Sequence, residues 1–392
     1  MVVASGALAL AAACASLSGL AGGDGSPLSN VEGGTETAPP VEAGPPPDPC
    51  RHATYPPPPA TDDDPNTALP PLVVALRDQS LFGTVDGGAP IGFDLDGVCT
   101  CFSDKTTAHA GSPSCVAPEG GASACDEDGG VDRQISSLLA AYTVSSAAGS
   151  TGGPTLLIKM TKYNGRANDS EVFVGYVAST GIFDRTGCTT NDDASAPYPP
   201  TWRGCDKFAP ETASVLPSTT EPLFYLPGYV SDHVLVVQSS AKPVTFVVGN
   251  ARLVVTDAVL VVRLTAVDAQ LKPIEPPPAA GDRFHFEGTS AGRVNTTEAL
   301  RAIARGQALA DGGPLCGFPN FFDTVKHSFV CPSADISTSS AQDFAGAECD
   351  ALSFAAAFTA DPVLVGTPRK ASQPSCADPD DPAYAKYFDC AQ

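Results

Sequence analysis

Thirteen cysteines, spread from Cys14 to Cys390, constrain this 392-residue chain more than any other feature. Cysteine at this density does not suit a reducing cytosol, and points to an exported chain held by disulfides. The odd number has a natural resolution at the N-terminus. "MVVASGALALAAACASLSGLAGG" is an apolar run of signal-peptide length, too short to span a bilayer as an anchor. Its "LAAAC" resembles a bacterial lipobox, so residues 1–14 read as a signal peptide ending at Cys14, the expected lipidation site, although Leu10 stands four places before the cysteine rather than three. Ordinary secretion with cleavage nearby is the competing reading. Removal of Cys14 leaves twelve disulfide candidates: Cys50, Cys99, Cys101, Cys115, Cys125, Cys188, Cys205, Cys316, Cys331, Cys349, Cys376 and Cys390. The expected location is the outer membrane, the cell surface or the medium.

Proline marks the next boundary. Fourteen of the 38 prolines fall between Asp24 and Leu72. That stretch has almost no β-branched or aromatic residues with which to bury a core, so residues 15–71 read as a disordered tether biased to polyproline II. A spacer of this kind would lift a folded domain clear of a lipid anchor.

Beyond it the pattern is mainly β. "LVVALRDQSLFG" begins the folded part, and residues 72–143 form a disulfide-rich acidic module ending in an amphipathic helix over 131–143, with Asp132 placed to cap it. Residues 144–392 read as a β-rich domain packed with the module as one unit. "TLLIKMT", "EVFVGYVAS", "HVLVVQ", "PVTFVVGNARLVVTDAVLVVRLTAV" and "RFHFEG" are apolar runs separated by turn chemistry, with Gly249-Asn250 as a two-residue hairpin turn. Helices do not alternate with these runs, which argues against a doubly wound fold. The expected class is α+β, mainly β with a few helices: an antiparallel β-sandwich or jelly-roll-like domain with an N-terminal disulfide-rich module. "NTTEALRAIARG" predicts a helix with Asn295 as its cap and Gly306 as its stop, "NFFDTVKHSFVC" a second helix, and "ALSFAAAFTADPVLVG" a return to strand.

The combination of "FDLDGVCTC", "CDEDGGVD", "TLLIKMTKYNG" and "CDALSFAAAF" resembles a group of uncharacterised, predicted secreted lipoproteins of myxobacteria and related bacteria. The resemblance covers most of the chain after residue 90. It implies export and one shared domain, and brings no active site.

Charge narrows the partners. Against 22 Lys and Arg stand 44 Asp and Glu, a formal net charge of -22. Such a chain is repelled by nucleic acid and by anionic headgroups, and attracts divalent cations. The membrane is expected as a partner only through the N-terminal lipid, alongside an envelope or extracellular ligand. Two acidic loops have the alternation that calcium uses, since Ca²⁺ takes six to eight oxygens from side chains and carbonyls together. They are Asp94 and Asp96 in "FDLDG", and Asp126, Asp128 and Asp132 in "DEDGGVD", a loop that resembles the calcium loops of thrombospondin type 3 repeats. Neither is an EF-hand, because the twelfth position is Lys105 in one and Ser137 in the other. The same letters also read as Asp-Gly turns and a helix cap. A zinc site on Cys99, Cys101, Cys115 and Cys125 is a further alternative, disfavoured by irregular spacing and an oxidising compartment.

One motif suggests catalysis. "GTSAG" (288–292) matches the G-x-S-x-G nucleophile elbow and resembles the patatin serine motif, making Ser290 the candidate nucleophile of a secreted hydrolase. The helix that an elbow needs at once begins only near Asn295. The histidines, at 52, 109, 233, 285 and 327, are scattered singly. Trp202, the sole tryptophan, reads either as core near Cys188 and Cys205 or, with Tyr198, as a sugar-stacking platform. Three functions follow from these features: a non-catalytic binding protein for a glycan or envelope component, a serine hydrolase, and a structural calcium-dependent envelope protein.

Overall fold

The computed structural model describes residues 53–81, 91–100, 113–119, 121, 125–126, 130–135, 152–184, 188, 200–240, 242–248, 251–268, 270–274, 283–305, 316, 318–371 and 388–390. The chain from Pro47 onward forms one compact unit. Its strands are β1 (Leu72–Ser80), β2 (Thr155–Thr161), β3 (Asp169–Asp184), β4 (Lys207–Pro210), β5 (Leu226–Ser231), β6 (Val234–Ser239), β7 (Val244–Val248), β8 (Ala251–Val267), β9 (Arg283–Asn295), β10 (Ala351–Pro362) and β11 (Leu364–Val365). Among the described residues, two α-helices lie between β9 and β10: α1 (Thr296–Arg305) and α2 (Pro319–Val325).

The class is the mainly β one expected, and its sheet closes on itself. Strands run in the order β3-β2-β1-β10-β9-β8-β6-β5, every pair antiparallel, and β5 pairs back to β3 through Val172–Gly228 and its neighbours. Closure leaves these eight strands without a free edge. Long strands need to bend for this, and β1, β3 and β8 each carry a register shift where they do.

Alternation assigns the faces. Even-numbered residues of β9 and β10, among them Phe284, Phe286, Val294, Leu352, Phe354 and Phe358, enter the main core with Leu156, Ile158 and Met160 of β2. Helix α1 adds Leu300 and Ile303 to that core. Asn295 caps it as the sequence predicts, its Oδ1 accepting the Thr297 amide at 3.0 Å. The odd-numbered residues of β9 and β10 face outward and form cross-strand pairs: Ala291 with Ala355, and Arg293 with Ser353.

β1 belongs to the closed sheet, between β2 and β10, so residues 72–80 share a sheet with the strands after residue 144. One expectation shifts. Residues 53–71, assigned by composition to the tether, lie against the sheet. Asp62 and Asp63 accept the amides of Ser170 and Asn168, the Leu69 amide donates to the Tyr163 carbonyl, and Tyr229 donates to the Pro56 carbonyl. An extended proline backbone has unpaired carbonyls, which such donors can use without any core being buried. Of the predicted helix over 131–143, residues 131–135 are described: 134–135 are helical, whereas 131–133 are not; the Gly249-Asn250 turn lies outside the described residues. β7 and β8 pair on either side of it, Val248 with Ala251.

Candidate metal centre

The odd-numbered face of β9 and β10 is the floor of the site. Ala291 and Ala355 are small enough for Ile91 and Phe93 to pack directly on the strands, and Tyr55 meets Phe93 edge-on at 5.9 Å. This anchors residues 91–93 and places Asp94 and Asp96 just above. Gly92 is required for that approach, since a Cβ there would come within 2.6 Å of Val131. The second acidic loop returns alongside: the Asp132 amide donates to the Phe93 carbonyl at 3.2 Å, and Asp132 Oδ2 accepts from the Leu95 amide at 2.8 Å. Gly130, at φ +68°, turns the chain where a side chain would press on Asp94 Oδ2 and Cys99 Sγ.

Carboxylate oxygens of Asp94, Asp96 and Asp132 thereby lie within 4.8 Å of one another. Asp126 joins them, its Oδ2 held by the Thr100 amide at 2.6 Å and its carboxyl interacting with Asp132, Asp96 and Asp94. Asp128 lies outside the described residues. The two loops therefore converge, as a shared calcium site requires. Asp132, read from the sequence as a cap, reaches across to Leu95, while the Gln134 amide donates to Ser353 Oγ at 2.7 Å.

Three groups that sequence reasoning missed complete the walls. Asp335 accepts the Ser353 amide at 2.9 Å and its hydroxyl as well, and its charge is felt by Asp132. Arg293, wholly buried, forms a two-pronged pair with Asp343 at 2.8 and 2.6 Å and donates to the Leu95 carbonyl at 2.7 Å. Its charge is thus engaged by Asp343 while it ties down the first acidic loop. Ser114 is 2% exposed and sits close enough to Asp96 to favour its ionised form, yet its hydroxyl completes no hydrogen bond of normal geometry. The disulfide Cys115–Cys349 fixes that serine, and the Phe344 amide donates to its carbonyl at 2.7 Å.

Proton affinities record the strain of this gathering. Burial, ahead of repulsion from Asp94 and Asp343, raises Asp96 to about 6. Burial and then Asp96 raise Asp126 to about 7, and burial raises Asp335 to about 7. Asp132, 4% exposed, is pushed well above the ordinary carboxylate range by burial and then by Asp96, Asp126 and Asp335. Carboxyls in this state either hold protons or face a cation. The donors are all oxygen, which fits Ca²⁺ and not a thiolate-bound zinc. The zinc alternative falls because Cys99, Cys115 and Cys125 are all in disulfides; Cys101 lies outside the described residues.

The remaining disulfide candidates divide similarly. Cys188–Cys205 and Cys331–Cys390 are bonded, and so is Cys316. Cys14, Cys50 and Cys376 lie outside the described residues. Several disulfides fit an extracellular or periplasmic location. Among the described residues no helix is long and apolar enough to cross a membrane.

Ser290 stands in mid-strand, 3% exposed, laddered to Leu260 on one side and Ala356 on the other. An elbow needs a sharp strand-to-helix turn with the hydroxyl at its tip. Here the strand continues to Asn295, and the even-numbered serine faces inward while His285 faces outward, its Nδ1 2.7 Å from Asp361. The glycines of "GTSAG" have another cause. A Cβ on Gly288 would fall 2.1 Å from the Val261 carbonyl oxygen, and one on Gly292 2.4 Å from Val255. These letters reflect the close approach of β8 and β9. Trp202 is core, 5% exposed against Phe208; Tyr198 is not among the described residues.

No protein-family model, curated protein or solved structure matches this chain.

Proposed function

We propose that the chain is an exported, non-catalytic binding module whose acidic loops are locked onto a closed β domain by a calcium ion. One observation carries this reading: loops from three separate parts of the chain bring Asp94, Asp96, Asp126 and Asp132 together beside the buried hydroxyl of Ser114. Asp94, Asp96, Asp126 and Asp132 would hold the ion, with Asp335 and Arg293 fixing the ground beneath. Lipidation at Cys14, followed by the proline-rich stretch, would tether the module to the outer membrane or cell surface.

The test is a calcium titration of the full chain, disulfides intact, followed by its thermal midpoint against an EGTA control. A rise that saturates, and that vanishes in the Asp96→Ala, Asp126→Ala double variant, is expected. No rise up to millimolar calcium would refute the reading.

A further inference from the structure

Asp94 faces two ways. It belongs to the carboxylate cluster, and it lines a groove of about 690 Å³ with Tyr55, Pro56, Gly97, Tyr229 and Gln238. We propose that this groove binds a neutral oligosaccharide, with vicinal hydroxyls of one sugar completing the coordination of the calcium at Asp94; the proposal rests on the calcium reading above.

The walls carry the argument. Tyr55 is held by its edge contact with Phe93 and by a hydrogen bond between its hydroxyl and Gln238 Nε2. Tyr229 is held by donation to the Pro56 carbonyl at 2.5 Å. Both rings are therefore fixed in advance, and with the proline run they give rigid apolar faces suited to the C–H face of a pyranose. Gln238 is exposed, and beyond its bond to Tyr55 it keeps one amide hydrogen and a carbonyl acceptor for hydroxyls. At the cluster end Gly97 leaves the approach open, since a Cβ there would meet nothing within 4 Å.

The occupant's charge follows from the setting. A chain of net charge -22, with Asp94 in the groove wall, disfavours acidic polysaccharides and phosphorylated ligands. A neutral sugar avoids that repulsion, and its paired hydroxyls offer the oxygen ligands that calcium accepts beyond the protein's own. A groove of this volume takes a short oligosaccharide.

The experiment is affinity electrophoresis of the full chain through gels containing mannan, arabinogalactan or dextran, with calcium or with EGTA. Retardation by at least one of these, lost in EGTA, is expected. Tyr229→Phe and Gln238→Ala should weaken it about tenfold while leaving the calcium-induced rise in thermal midpoint intact. If calcium raises the midpoint but none of the three polysaccharides retards the chain, the groove proposal is overturned and the calcium reading stands. If retardation persists unchanged in EGTA and calcium leaves the midpoint alone, the calcium reading fails and with it the coordination proposed here.

Discussion

Asp335 sets a measurable pH dependence on the metal-free protein. Its carboxyl is held at about 7 against an ordinary 3.8, with burial as the first cause. A carboxyl whose pKa is raised by folding binds its proton more tightly in the folded state. Its contribution to stability is therefore complete below pH 4, falls as the pH rises toward 7, and is gone above that. A shift of this size corresponds to about 4 kcal/mol. For a unit the size of Pro47–Gln392 the unfolding entropy is about 0.7 kcal/mol/K, so the loss corresponds to roughly 6 °C in thermal midpoint. Other carboxylates contribute slopes of their own, and the difference between wild type and Asp335→Asn isolates this one. In EGTA, the variant's midpoint should gain on the wild type by roughly 6 °C between pH 4 and pH 8, measured by circular dichroism with disulfides intact. A constant offset between the two, or one that grows in the opposite direction, would refute the claim that Asp335 is buried as a proton-bearing acid. Added calcium at a hundred times its dissociation constant should raise the wild-type midpoint at pH 7.5 by about 4 °C, from a linkage contribution of about 2.7 kcal/mol.

Arg293→Met removes one member of a buried pair and strands Asp343, so urea unfolding should show a loss of about 3–5 kcal/mol. Gly288→Ala drives a methyl into the β8 backbone at Val261, and a loss of about 1–3 kcal/mol or failure to fold is expected in the same assay. Gly130→Ala should cost about 1–2 kcal/mol at its positive φ and also weaken calcium binding by pressing on Asp94, read as a rightward shift of the calcium titration. Ser290→Ala, at an interior mid-strand position, should leave any ester-hydrolysing activity of the preparation unchanged; its complete loss would restore the hydrolase.

Elements whose signals are local were legible. Asn295 with Glu298 announces α1, the apolar runs from Thr155 to Val267 announce their strands, and Asp96-Gly97 announces a bend. The first acidic loop could be read as half a site because Asp94 and Asp96 alternate within a few residues. Closure of the sheet was not legible, because it depends on the β3–β5 pairing and on register shifts at Thr256–Val259 and Asp169–Val172, which leave no pattern in the alternation. Residues 53–71, the described end of the proline-rich stretch, depart from the tether expectation for a related reason. Composition reports the lack of a core, whereas residues 53–71 are held by backbone carbonyls and by Asp62 and Asp63, which need none.

"GTSAG" and Asp335 fail in opposite directions, and one physical distinction covers both. A motif states which residues are adjacent along the chain, while a site depends on which face of which strand they occupy. Parity within β9 sends Ser290 inward and Arg293 outward, so the residue with the recognisable motif is sealed in the core and its unremarked neighbour forms the base of the acidic cluster. Asp335 carries no motif, and it becomes part of the cluster only because Ser353 stands across from Arg293 on the adjacent strand. The acidic loops cannot assemble their floor until β9 and β10 have paired. Cys115–Cys349, spanning 234 residues, then holds Ser114 and that floor together. Calcium affinity should accordingly appear late in refolding, with the β9–β10 pairing, and should be absent from an isolated peptide spanning residues 91–132 even with all its aspartates present.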